Sequence, residues 1–99
     1  MKAYLIDPEQ QSIDDIEISS REDIVAQIGY ETLESDSLGG EDTLYFDEEC
    51  FLRGASGRFQ LDKLIPVSGK AVIVGAAADG SLLDVSLSIE ELKSRIQYQ

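Results

Sequence analysis

The residues best equipped for chemistry crowd into one stretch, "GEDTLYFDEECFLRGASGRF", Gly40 to Phe59. Its first half holds the carboxylates Glu41, Asp42, Asp47, Glu48 and Glu49. Its second half holds none, but carries Arg53 and Arg58 around two glycines. Such carboxylates could bind a divalent cation, share acid–base work or face a basic partner, and the arginine-flanked loop could hold an anion. A calcium loop needs ligands at alternate positions, a central glycine and a terminal glutamate. "DEECFLRGASGR" begins with Asp47 but sets Cys50, Phe51, Leu52 and Arg53 across those positions, so it fails. Asp14 and Asp15 are adjacent in an alternating stretch, which sends them to opposite faces of a strand. A glycosidase pair needs one sheltered acid with a raised pKa and a second about 5–9 Å away. The acids here fall mostly on turns and outward strand positions, where water keeps them ordinary.

The remaining motifs are structural punctuation. "VSGKA" contains Gly69-Lys70, but Leu64 stands where a Walker A loop has its first glycine, and Ala71 where it has Ser or Thr. Cys50 follows three acids, which oppose thiolate formation, and reads as a buried structural cysteine at the start of an apolar strand. The chain has no histidine. That removes imidazole bases, Ser-His and Cys-His nucleophile pairs, and most zinc chemistry. No catalytic, metal-binding or cofactor-binding residue is expected. The candidate binding residues are Asp42, Asp47, Glu48, Glu49, Arg53 and Arg58.

Charge sharpens the choice of partner. The net charge is −12 over 99 residues. Residues 1–50 carry fifteen acids and two bases, residues 51–78 are net +3, and residues 79–99 are net −2. The first half repels phosphate backbones, so nucleic acid is not an expected direct ligand. A basic protein surface is the electrostatic complement, although acidity also serves solubility. The longest apolar run, Ala71 to Ala78, is far short of the roughly 20 residues that span a bilayer. The start turns polar after "AYLI" and offers no signal-peptide core. With a single cysteine and no expected membrane contact, the chain reads as cytoplasmic.

The elements that must position these residues follow from periodicity. "KAYLID" and "SIDDIEIS" read as a hairpin around the turn "DPEQ", with Ile16 and Ile18 facing in. A short helix follows, with Ser19 and Glu22 at capping-box spacing, Ile24, Val25 and Ile28 as its apolar stripe, and Gly29 at its end. A weak strand at "YETLESDS" leads to a turn at Gly39-Gly40. "TLYFD" is a strand, Glu48-Glu49 a tight turn, and "CFL" the strand returning. "RFQL", "AVIVGAA" and "LLDVSL" are further strands, the second buried on both faces. Ser88 and Glu91 open a last helix whose stripe is Ile89, Leu92 and Ile96. The order predicts a single α+β domain, 1–99, with two short helices on one mainly antiparallel sheet.

Three segments carry a resemblance: the start "MKAYLIDPE", the middle "DTLYFDEECFL", and the tail "PVSGKAVIVG" through "VSLSIEEL". In this the chain resembles a family of short uncharacterised bacterial and phage-borne proteins, a domain of unknown function, over nearly its whole length. The matching positions are Asp7, Pro8, Tyr45, Asp47, Glu49, Pro66, Gly69, Gly75, Glu90 and Glu91; Cys50 stands where the family has a hairpin glycine. The resemblance implies a single α+β domain in a mobile-element setting and no chemistry.

The expected function is therefore that of a small, non-enzymatic protein that binds a macromolecule with a basic surface. A variant is a nucleic-acid mimic that blocks a DNA- or RNA-binding protein. A different class is a binder of, or enzyme on, a small anion held by Arg53 and Arg58. A deep pocket joining both arginines to a carboxylate would favour that last reading.

Overall fold

The computed structural model describes residues 1–99. Alternating apolar and polar residues build the first hairpin. β1 (Lys2–Asp7) and β2 (Ser12–Glu17) run antiparallel, with Tyr4 opposite Asp15 and Leu5 opposite Asp14. Asp14 and Asp15 thus emerge on opposite faces. Asp7 closes the turn by accepting the Glu9 and Gln10 amides at 3.1 and 3.3 Å.

Helix α1 (Arg21–Ile28) buries Ile24 and Ile28 and stops at Gly29, whose φ of 95° suits a residue without Cβ. Its cap differs from the expected Ser19–Glu22 box. Ser20 is the N-cap and makes no side-chain bond; instead Asp23 Oδ2 accepts the Ser19 amide at 2.8 Å. The reciprocal half of a capping box is present, shifted by one residue.

β3 (Leu33–Ser37) and β4 (Asp42–Asp47) pair across the Gly39-Gly40 turn. β4 also pairs along its other side with β7 (Ala71–Ala76). That double pairing overturns the expectation that "CFL" returns as a strand beside "TLYFD": no edge of β4 is left for it. Cys50–Leu52 forms one 3₁₀ turn instead. The chain then makes β5 (Arg58–Leu61), β6 (Val67–Ser68), β7, the short β8 (Leu82–Leu83), α2 (Ile89–Arg95) and β9 (Ile96–Tyr98).

The fold is α+β, but its strands form two sheets where one was expected. The larger has the order β2-β1-β7-β4-β3, with β8 pairing the end of β7; the smaller has the order β6-β5-β9. β7 lies at the centre of the large sheet and is buried on both faces, as its unbroken apolar run requires. Val72 and Val74 pack with Ile18, Ile24 and Ile28 under α1. Ala71 and Ile73 pack on the other face with Phe59, Leu61, Val67 and Leu92, from the small sheet and α2. The two helices therefore cover opposite faces of the large sheet. Ile96 is a further correction. It has left the helix and pairs with Leu61 in β9, where the "IQY" alternation suits an extended chain.

Gly57 welds the glycine-rich loop to the first hairpin. A Cβ there would sit 2.3 Å from the Glu9 nitrogen and 2.5 Å from the Pro8 carbonyl carbon. Both are backbone atoms with little room to yield. Gly57→Ala is expected to cost about 1–2 kcal/mol. Urea denaturation measures it, and an unchanged midpoint would mean that the loop stands off the hairpin.

Candidate functional site

The site is built around Asp47, the last residue of β4, which is 3% exposed. A buried carboxylate needs partners for both oxygens. Oδ1 accepts the Thr32 hydroxyl and, at 3.1 Å, the Glu49 amide; Oδ2 accepts Arg53 Nε at 2.9 Å. Pairing of β3 with β4 brings Thr32 alongside, since Leu33 stands opposite Asp47 and the Glu48 amide donates to the Thr32 carbonyl at 2.6 Å. Arg53 completes the knot. One of its terminal nitrogens donates to Thr32 Oγ1 at 3.1 Å and pairs with Glu49 at 3.4 Å, while the guanidinium lies over the Tyr30 ring, 4.1 Å from its centre. Burial pushes the Asp47 carboxyl up, but hydrogen bonds from Arg53, Thr32 and the Glu49 amide outweigh it and hold it below the usual carboxylate value.

This clasp ties the two ends of the 3₁₀ turn to one carboxylate. Cys50, buried at the turn's inner side, accepts the Ser68 amide on Sγ at 3.5 Å. Beside the clasp lies a cavity of about 140 Å³, lined in part by Tyr30, Asp47, Cys50, Arg53, Ser68 and Lys70. It opens toward a shallow groove of about 370 Å³ that shares Tyr30, Ala55, Gly69 and Lys70 and runs on to Asp7 and Glu9. The first space is small for a metabolite, and the acids of the second oppose an anion.

The six candidate residues divide by place. Asp42 is buried and turned inward, accepting Ser86 N at 2.8 Å, Ser86 Oγ at 2.9 Å and Leu87 N at 3.0 Å. It fixes the approach to α2 and presents nothing to a partner. Asp47 is likewise internal. Glu48 and Glu49 are exposed on the turn. Arg53 is held by Asp47 and Glu49, while Arg58 points elsewhere, over the Phe51 ring at 5.2 Å. The two arginines do not line one pocket, so the arrangement on which an anion site depended is absent. No three carboxylate or thiol groups converge in the way a metal ion needs.

Sequence reasoning missed Tyr30 and Thr32. Thr32 lies fifteen residues from Asp47 in the stretch with the fewest apolar anchors, and no pattern links the two. It also missed that Phe51 and Leu52 stand outside the core: a strand would have buried alternate residues, whereas the 3₁₀ turn leaves both exposed.

Fold and site together define a small α+β protein of two packed antiparallel sheets, with a buried carboxylate–guanidinium clasp under a projecting acidic turn. No protein-family model, curated protein or solved structure matches the chain.

Proposed function

We propose that the chain is a non-enzymatic binding module for a protein with a basic surface. One observation carries the reading. Of the fifteen acids in residues 1–50, only Glu17, Asp47 and Glu49 meet a positive group within the chain. Of the other twelve, Asp42 is turned inward, and the remaining eleven repel one another in the folded state, a cost that an opposite charge on a partner would offset. Some have a local role. Asp14 and Asp15 on β2, and Glu34 and Asp36 on β3, lie on the two edge strands of the large sheet, where charge opposes strand-to-strand aggregation. Glu48 lies on no edge strand, meets no cation within the chain and needs another reason. The nucleic-acid mimic is a variant of the same physics, in which the partner's basic surface is a DNA- or RNA-binding one. It gains little from β3, which sets only Glu34 and Asp36 on one face of the strand.

Affinity capture from source-cell lysate at low and high salt tests the reading. Capture is expected at low salt and is expected to weaken steeply as salt rises. The reversal Glu48→Lys, at an exposed acid that meets no cation within the chain, should slow association with the captured protein and leave the melting temperature nearly unchanged, because an exposed turn charge adds little to stability. No partner at either salt concentration, or capture indifferent to the reversal, would sink the proposal. Nucleic acid competing for the captured protein selects the mimic variant.

A further inference from the structure

Resting on that reading, we infer that Leu52, flanked by Phe51, is an apolar anchor that enters a pocket on the basic partner, with Glu48 as the exposed, unpaired acid beside it. Leu52 is 81% exposed and Phe51 50%, while Cys50 of the same turn is buried. A single exposed leucine is ordinary, but here two large apolar side chains follow each other on one turn, separated from two exposed acids only by the buried Cys50. An apolar centre with a charged rim is the anatomy of a protein-binding contact. Arg58 covers one face of Phe51, leaving Leu52 as the freer of the two.

The turn is also held in place before any partner arrives. Asp47 binds the Glu49 amide at its start and Arg53 at its end, and the Ser68 amide meets Cys50 from β6. An anchor fixed in advance loses less conformational entropy on binding. This gives the clasp a purpose beyond closing a loop.

The charge of the whole chain selects the occupant, since on the turn itself Arg53 pairs with Glu49 and Arg58 lies over Phe51. Phosphate backbones and anionic headgroups are repelled by the net charge of −12, and leucine offers no stacking surface for bases. A second copy of the chain would bring its own net charge of −12. An apolar pocket set in a basic protein surface fits both the exposed leucine and the acidity of the chain as a whole.

Leu52→Ser tests the anchor, since an exposed substitution leaves the fold intact. Ile65→Ser is the control, at a residue 67% exposed on another loop. The lysate protein captured by the wild type is identified, purified and titrated against all three chains and the Glu48→Lys variant. Leu52→Ser is expected to weaken binding about tenfold or more, mainly by faster dissociation, with Ile65→Ser unchanged. If Leu52→Ser binds like the wild type while the charge reversal weakens binding, the anchor is refuted and the basic-partner reading stands. If nothing is captured, both fall. A captured protein without a basic surface overturns the assigned partner. So does a dimer seen by sedimentation and abolished by Leu52→Ser, which would seat the anchor on a second copy.

Discussion

Leu92→Ala is expected to lower stability by about 2–4 kcal/mol. Helix α2 has only seven residues and would not persist alone. Its start is secured by Ser88 Oγ, which accepts the Glu91 amide at 3.1 Å, but a cap orients a helix without docking it. Docking falls to Leu92, which is fully buried among the residues that join the small sheet to the large one. Ile89 and Ile96 are only partly buried beside it. Because α2 runs directly into β9, a cavity at Leu92 also loosens the pairing of Ile96 with Leu61. In a domain of this size the loss corresponds to a fall of about 10–20 °C in melting temperature. Lys93→Ala, one residue on and exposed, should stay within about 0.5 kcal/mol of the wild type. Urea denaturation of the two variants decides the matter, and a cost below about 0.5 kcal/mol for Leu92→Ala would mean that the helix is not docked.

The residues that could be read in advance share a property: their signal is local. β7 is legible because "AVIV" can be satisfied only by burial on both faces. Ser88 and Glu91 announce α2 because a capping box needs four consecutive residues and nothing else. Gly29 and Gly80 mark an end and a turn through their own φ values of 95° and 90°. What could not be read depends on partners distant in sequence. Whether "CFL" can be a strand is decided by β7, which occupies the second edge of β4 from more than twenty residues downstream. Ile96 is at helical spacing from Leu92, yet β5 draws it into a strand. The site suffers most from this. Asp42 and Asp47 look alike in the sequence, as polar ends of one apolar strand. Asp42 turns out to serve Ser86 and Leu87, and Asp47 to serve Thr32 and Arg53. The two acids that follow, Glu48 and Glu49, are legible as surface, because turn residues are.

Asp47→Ala is expected to cost about 2–3 kcal/mol, since it removes a buried acceptor of three hydrogen bonds and leaves the Glu49 amide and the Thr32 hydroxyl without that partner. The charge itself contributes, and pH isolates it. Although burial alone would raise the Asp47 pKa, its donors lower it below the unfolded value. A carboxylate with a lowered folded pKa contributes stability that is fully present above the unfolded value, about 3.9, and is lost as pH falls through the folded one. Asp62, lowered chiefly by its hydrogen bond from Arg95, acts with the same sign, so some acid sensitivity survives any change at Asp47. Asp47→Asn keeps the shape but not the charge. Its deficit against the wild type should therefore be largest near neutral pH and shrink below about pH 4. Denaturant titrations of both proteins at several pH values measure that gap, and a gap constant down to about pH 2 would show that packing, not charge, holds the clasp. The same variant bears on binding. If Asp47 exists to fix the 3₁₀ turn, Asp47→Asn should weaken partner binding even though Glu48, Glu49 and Leu52 are untouched, because a loosened turn must be ordered again on contact. Wild-type affinity in a destabilised Asp47→Asn protein would separate the clasp from the anchor and leave it a purely structural knot.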